Sequence, residues 1–473
     1  VSGVNNDSKE ALINNDGMIE VDKALFSIEP IIKRGNTIYN WNNVKSSQSM
    51  SLQDNPQDLD YAPSVVWEFD GLKFATRIIS SGEANINSRL NIRYSIENLS
   101  SKHEEIELYL LIRPYQVNPY YQFLNLSGGA GKISSLREEN PGEIAVDDKV
   151  VFFTEKYDLF VAATSDNGNI TDLIRSGMLH ESKSAVDQNR QATGFVKYSI
   201  SLNPTEKRDF YIVVPFHTND LHINLTKNAV AEEFLQVSDW WKQRLSHIRF
   251  NLPPSADRIL AAYKANLFYI LINRDYVGIQ PGSRSYERSW IRDGSLTSSA
   301  LLKSGIVEEV RDFTEWYAGY QFENGKVPCV VDFRGPYPVP EHDSHGQLIY
   351  LIREYFNFTH DTIFLRSMNQ HVLKSVEYIE SLIAERSTDA YKNGNDSIRA
   401  YYGIVPESIS HEGYSAKPMH SYWDNFFIMK GLKDAVEIQK ILGETSHEKN
   451  ITGIRDDFRK NLYQSIEIGR ASC

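Results

Sequence analysis

Cysteine is almost absent from this chain. Only Cys329 and Cys473 occur, which excludes a disulfide framework and any cysteine-built metal centre. Such low usage suits the cytoplasm and a bacterial periplasm equally. Long apolar runs are also missing. No stretch approaches the roughly 18 apolar residues of a membrane span. Positive charge is the minority: 50 Lys and Arg stand against 62 Asp and Glu, a net charge of −12. A nucleic-acid binder would show a basic face, so no nucleic-acid partner is expected. There is no initiator methionine, and Val1 to Asp7 is too polar for a signal peptide. A leader or further sequence is expected to have been removed, which favours a periplasmic or secreted location over a cytoplasmic one. Neither a Gly-x-Ser-x-Gly elbow nor a Gly-rich phosphate loop occurs. The Gly128-Gly129-Ala130-Gly131 run reads as a turn in a β region. No cofactor is expected. The Asn-x-Ser/Thr triplets are at chance level in so Asn-rich a chain.

Aromatic residues are plentiful, at 12% with 26 tyrosines and 7 tryptophans, and apolar residues make up 41%. Such side chains offer flat apolar faces with polar tips, but they are equally the core of sandwiches and helical barrels. At 473 residues, length alone suggests two or three domains.

Residues 1–228 read as β. Leu90 to Asn98 and Ile106 to Pro114 alternate apolar and polar, with a turn-rich stretch between them. Further strands are expected at 64–69, 73–79, 150–153, 159–163, 193–202 and 208–215. Strands at this spacing, without long helices, predict a large antiparallel sandwich. Its expected role is support rather than chemistry. Residues 229–253 read as a linker helix stopped by Pro253-Pro254, with Phe234, Val237, Trp240, Trp241 and Leu245 on one stripe.

From residue 254 to 473 the period is helical. About seven helices are expected, at 256–274, 290–303, 306–323, 344–357, 362–386, 418–442 and 447–462, each with an apolar stripe. Gly305 and Gly443 stand where helices should end. The connections alternate long and short. The long ones, 275–289, 324–343 and 387–417, then fall on one face, and structureless loops of that length are usually functional. This is the layout of an (α/α) toroid with a cleft at one end. Six hairpins close such a ring, so this one reads as incomplete. A further C-terminal segment or a partner chain is expected to complete it, because an open ring leaves apolar stripes in water.

The long loops hold the chemistry. In the first, Arg292 and Asp293 follow Trp290 at a helix start. An adjacent guanidinium and carboxylate suit hydroxyl recognition, although an acid there is also a common helix cap. In the second, Glu341, His342 and Asp343 are consecutive, in a loop that also carries Asp332, Arg334 and Tyr337. Consecutive residues rarely reach one ion together and no i, i+4 His pair is present, so no metal is expected. In the third, Glu412 lies between His411 and Gly413, with Tyr414 and Trp423 able to supply apolar walls that raise its pKa. Glycoside hydrolysis needs such a protonated acid and a second carboxylate. Glu407 is the runner-up. For either glutamate the competing structural role is a loop salt bridge, to Lys417 or Arg399.

Three runs carry a family resemblance: Ser283-Arg284-Ser285-Tyr286-Glu287-Arg288-Ser289-Trp290-Ile291-Arg292-Asp293-Gly294, Pro340-Glu341-His342-Asp343-Ser344-His345-Gly346, and Ser410-His411-Glu412-Gly413-Tyr414. They resemble (α/α)6-barrel glycoside hydrolases of the glucoamylase-like clan, with the related disaccharide phosphorylases. Residues 113–119 are similar to an uncharacterised bacterial branch of such proteins. The resemblance implies an N-terminal β super-sandwich, a linker helix and a catalytic barrel. It implies a carbohydrate substrate, with Arg292 and Asp293 gripping the terminal sugar and Glu412 as general acid. The general base of those hydrolases is implied beyond Cys473. An inverting, exo-acting glucosidase is therefore expected. The alternatives are a glycoside phosphorylase, in which phosphate replaces the base, and a non-catalytic sugar-binding protein or inactive enzyme fragment.

Overall fold

The computed structural model describes residues 1–51, 59–117, 131–177, 182–219, 225–284, 286–409 and 417–471. It divides into two compact units. The first is Val1–Tyr276 with Gly282–Tyr286, and the second is Val277–Pro281 with Glu287–Cys473. Segment 275–289, expected as one long loop, is thus shared between them.

The first unit is β-rich. Its two antiparallel sheets have eight and nine strands among the described residues. The two strands expected from alternation are present, as Arg89–Asn98 and Glu104–Arg113. They lie in different sheets. Arg89–Asn98 pairs with Leu72–Ser81 and Lys207–Pro215, whereas Glu104–Arg113 lies between Ser27–Arg34 and Thr193–Leu202. The turn between them therefore crosses from sheet to sheet.

The core forms between the facing sides. Leu108, Leu110 and Ile112 of one sheet share a cluster with Phe74, Tyr94 and Ile212 of the other. Fully burying each such side chain stabilises by roughly 1.5–3 kcal/mol. The outer faces are covered too. Tyr109 and Leu111 pack with Ile170 and Ile174 of helix α1 (Ile170–Ser176). On the other sheet Ile79, Tyr211 and Val213 pack with Val230 and Phe234 of helix α2 (Lys227–Arg244). Helix α2 is the expected linker segment, and here it is a layer of the first unit. Helix α3 (Asp257–Ile272), read from sequence as the first barrel helix, also falls in this unit, where Phe268 meets Tyr61 and Trp241. Arg284, from the first motif run, is likewise held here, donating to Glu20 at 2.6 Å and to the Glu10 carbonyl at 2.9 Å.

The second unit is helical, with one small sheet formed by 289–290, 330–332 and 335–336. Its helices are α4 (Ile291–Lys303), α5 (Glu308–Ala318), α6 (Asp343–Thr359), α7 (Thr362–Glu385), the single turns α8 (Asp389–Lys392) and α9 (Asp396–Arg399), α10 (Tyr422–Leu442) and α11 (Thr445–Ala471). The long ones pair into hairpins, α4 with α5, α6 with α7 and α10 with α11. Local chemistry sets their ends. The Asp361 carboxylate accepts from the Ile363 and Phe364 amides at 3.0 and 2.9 Å, which starts α7. Ser421 accepts from the Trp423 amide at 3.1 Å, so α10 begins four residues after the expected Pro418. Gly443, at φ +76°, ends α10 in the left-handed conformation. Connections 319–342 and 386–421 are long and both lead into the helix starts that carry the candidate residues. The fold is therefore β followed by α, as expected.

Helix α6 is the centre of this unit, packing on α4, α7 and α10. It is buried on nearly all sides from Asp343 to Ile352. Its crossing with α10 is unusually close. A Cβ on Gly346 would lie 2.0 Å from the Phe427 carbonyl oxygen, and one on Gly431 would lie 2.6 Å from the Gly346 Cα. Only glycine fits at both positions.

Gly346→Ala is expected to destabilise the chain by about 1–3 kcal/mol, the usual penalty of overpacking. Gly453→Ala on α11, where a Cβ meets nothing within 4 Å, should be neutral or stabilising by roughly up to 1 kcal/mol. Urea denaturation of both variants checks this; equal effects would refute the close-crossing argument.

Candidate active site

Helices α4, α6 and α10 bring their N-termini together, and the positive ends of their dipoles favour acidic side chains there. Arg292, in the first turn of α4, donates through Nε to Asp343 Oδ2 at 2.8 Å and through Nη2 to Glu341 Oε2 at 2.5 Å. Trp423, in the first turn of α10, donates its indole N–H to the same Asp343 oxygen at 2.9 Å. Asp343 is fully buried. Its own backbone N–H donates to Asp424 Oδ1 at 3.2 Å, and Asp424 Oδ2 accepts from the Ser408 hydroxyl at 2.6 Å. Asp424, fully buried on α10, thus satisfies an orphan amide at the start of α6.

Charge in this cluster is unevenly held. Burial opposes the Arg292 charge, but Asp343 and Glu341 outweigh it and keep the guanidinium firmly protonated. Glu341 is pushed up to about 7. Burial is the main cause; Arg292 pulls against it, and Asp343 and Asp424 add to it. Near neutrality the Glu341 carboxyl can therefore both donate and accept hydrogen bonds.

Of the residues selected from sequence, Arg292, Glu341, Asp343 and Trp423 meet in one hydrogen-bonded group. Trp290 precedes α4, with the Arg288 guanidinium 5.3 Å from its ring centre. Arg288 is anchored in turn on Asp332 at 2.8 Å. Asp293 lies in the first turn of α4 and is half-buried. His342 is buried behind the cluster, its pKa lowered to about 4 by burial first and Lys326 second, so the ring is neutral. His345, fully buried, accepts from the Val327 amide at 3.1 Å and is also held neutral by burial.

Glu407 stands apart. It is ion-paired with Arg386 and lies 3.2 Å from His420 Nε2, with the His420 ring stacked on Tyr401 at 3.9 Å. Partial burial works to raise its pKa, but hydrogen bonds, including that from Arg386, bring the net shift below the ordinary value. The salt-bridge role foreseen for a loop glutamate is filled by Arg386 rather than Lys417 or Arg399. A carboxylate so held is a poor proton donor.

His411, Glu412 and Tyr414 lie outside the described residues. The described residues on either side of them are held together. Ser408 and Met419 exchange both backbone hydrogen bonds, at 3.0 and 2.9 Å, and the Ile409 amide donates to the Pro340 carbonyl at 3.0 Å. Ile409, the last described residue before His411, is thus bonded to the residue next to Glu341. Sequence reasoning did not single out Asp424, Ser408 or Arg386. For Asp424 a signal existed, an acid beside Trp423 in the first turn of a helix. For Arg386 there was none, because its partner is 21 residues away. Among the described residues no group of three or more His, Cys, Asp or Glu is arranged to hold a metal ion. No helix among them is long and apolar enough to cross a membrane.

No known family's sequence profile matches the chain. No curated protein matches it either. Solved structures do match. A bacterial glucoamylase crystallised with acarbose superposes with a TM-score of 0.62 at 12% identity, covering 99% of this chain and 66% of that one. A human-microbiome protein assigned as a kojibiose phosphorylase gives 0.47 at 13% identity, with 99% and 63% coverage. A glycosyl hydrolase of family GH92 gives 0.38 at 10% identity, with 97% and 60% coverage. The chain thus spans less than two thirds of the length of each. At such identities the likeness is one of fold, shared with the bacterial glucoamylase.

The Glu341 carboxyl should leave a pH signature on stability. Its folded pKa lies above its unfolded one, so its contribution is complete below the unfolded value and is lost as pH rises through about 7. Relative to Glu341→Gln, the native chain should lose stability over that window at up to about 1.4 kcal/mol per pH unit. Denaturation curves of both at a series of pH values measure the difference; parallel profiles would show that the carboxyl is not raised.

Proposed function

We infer that this chain contributes the sandwich and part of the barrel of an inverting, exo-acting glycoside hydrolase that takes glucosides. Trp423 is the observation that carries the reading. Its N–H is fixed to buried Asp343, while the residue as a whole stays 42% exposed beside Arg292 and Glu341. A partly exposed tryptophan held at one edge can serve as a preorganised platform for the C–H face of a pyranose. The carboxyl and guanidinium groups beside it are the polar partners that sugar hydroxyls need.

In this reading Glu412, on the loop rooted at Ile409, is the general acid. It protonates the glycosidic oxygen as the bond to the anomeric carbon breaks. A base-activated water attacks that carbon from the opposite face, inverting its configuration. Arg292 and Asp293, with Glu341 and Asp343, position the terminal sugar. Trp290, His411 and Tyr414 complete the binding wall, and buried His342 backs it. Glu407 anchors the loop through Arg386. The general base comes from further helices of an (α/α) toroid, supplied by a C-terminal segment or a partner chain. In favour of such helices, Phe426 of α10 and Tyr463 of α11 are 53% and 55% exposed along a groove that also carries Met429, Arg455 and Arg459.

The test is release of sugar from α- and β-linked gluco-oligosaccharides, with and without phosphate. Glu412→Gln should lower release by about 10²- to 10⁴-fold, and Glu407→Gln should change it only a few-fold. Release unaffected by Glu412→Gln removes the assigned acid. Sugar 1-phosphate formed only with phosphate would point instead to a phosphorylase. No release, with sugars still raising the melting temperature, would mark a chain that binds without catalysis.

A further inference from the structure

Helix α2 carries two adjacent tryptophans with different fates. Trp241 is buried in the aromatic cluster with Tyr61 and Phe268. Trp240 remains 47% exposed and stands edge-on to Trp241, ring centres 4.7 Å apart at 90°. The buried ring thus holds the exposed one in place. Together they form one side of a cavity of about 450 Å³ in the first unit, within the roughly 300–1,000 Å³ of small-molecule sites.

Its other wall is polar. Glu233 of α2 accepts from Arg89 at 2.6 Å on one oxygen, and from Ser81 at 2.6 Å and Asn91 at 2.9 Å on the other. Arg89 and Glu233 therefore cancel each other's charge, and the network presents no net charge to a ligand. Arg89 is 93% buried, as its 7% exposure shows. Asn5, Ser81 and Gln236 add neutral polar groups, both donors and acceptors, to the lining. A hydroxyl group is the common ligand group that meets a donor and an acceptor at once.

We propose that this cavity is a second carbohydrate site, taking one or two neutral pyranose units with their C–H face on Trp240 and their hydroxyls toward the Ser81, Arg89 and Asn5 wall. It is separate from the Arg292–Asp343 cluster and breaks no bond. It rests on the proposed function only for the choice of probe.

The test uses the full chain labelled with 5-fluorotryptophan. Its seven tryptophans give fluorine signals assignable by single Trp→Phe variants. On titration with maltotriose and cellotriose the Trp240 signal should shift saturably. Trp240→Ala should weaken that site's affinity, read by calorimetry, by at least about tenfold, roughly 1.4 kcal/mol. An unmoved Trp240 signal with both sugars overturns the site, even if Trp290 or Trp423 shifts. Tighter binding of glucuronic acid than of glucose, or of indole than of either trisaccharide, overturns the ligand class. A shift at Trp240 with Trp290 and Trp423 silent upholds this site while refuting the platform role of Trp423.

Discussion

Helix α6 can meet helix α10 backbone to backbone only because glycine stands on both at the crossing. At ordinary interaxial distances of about 8–10 Å, side chains separate two helices. Here Gly346 and Gly431 remove them, and the gap closes until a single added methyl group would strike a carbonyl oxygen. The contacts between α6 and α10 at the candidate site depend on that closeness. It is what lets the Asp343 amide reach Asp424, and the Trp423 indole reach Asp343, across helices that begin 79 residues apart in sequence (Asp343 and Tyr422).

A close crossing creates an electrostatic problem, because it buries acids at three converging helix ends. One arginine addresses most of it. Arg292 is shared between Asp343 and Glu341, and the helix dipoles add partial positive charge. Buried ion pairs add little net stability when intact, yet are damaging when broken, because the remaining charge is stranded. The arrangement is therefore better understood as a positioning device than as a source of stability. It fixes an indole edge, keeps a carboxyl near its midpoint at neutrality, and leaves the tryptophan partly exposed.

Much of the architecture was legible in the sequence, because it is written in periods. Strands such as Arg89–Asn98 and helices such as Thr362–Glu385 follow from where apolar residues recur and from local caps such as Asp361 and Gly443. The strands of the first 51 residues were missed. They are short, or buried on both faces as in Ser27–Arg34, and so lack clean alternation. Helix α11 was expected to end at 462 but runs to Ala471, because no glycine or proline follows to stop it before Gly469. The partnership of the long loops was legible as well, since alternating long and short connections place helix starts on one side.

Sequence by itself determined that a β region precedes a helical one, that two cysteines cannot build a disulfide framework, and that Arg292, Glu341, Asp343 and Trp423 stand where long connections meet helix starts. These are local properties of composition and spacing. Only the tertiary structure decided which groups touch. It gave Arg292 to Asp343 and Glu341, tied Glu407 to Arg386, made Asp424 a buried acceptor, and placed α2 and α3 with the β unit. The physical reason is distance along the chain. Hydrogen bonds and ion pairs between residues tens of positions apart depend on how closely helices cross, and that is set by packing rather than by any local pattern.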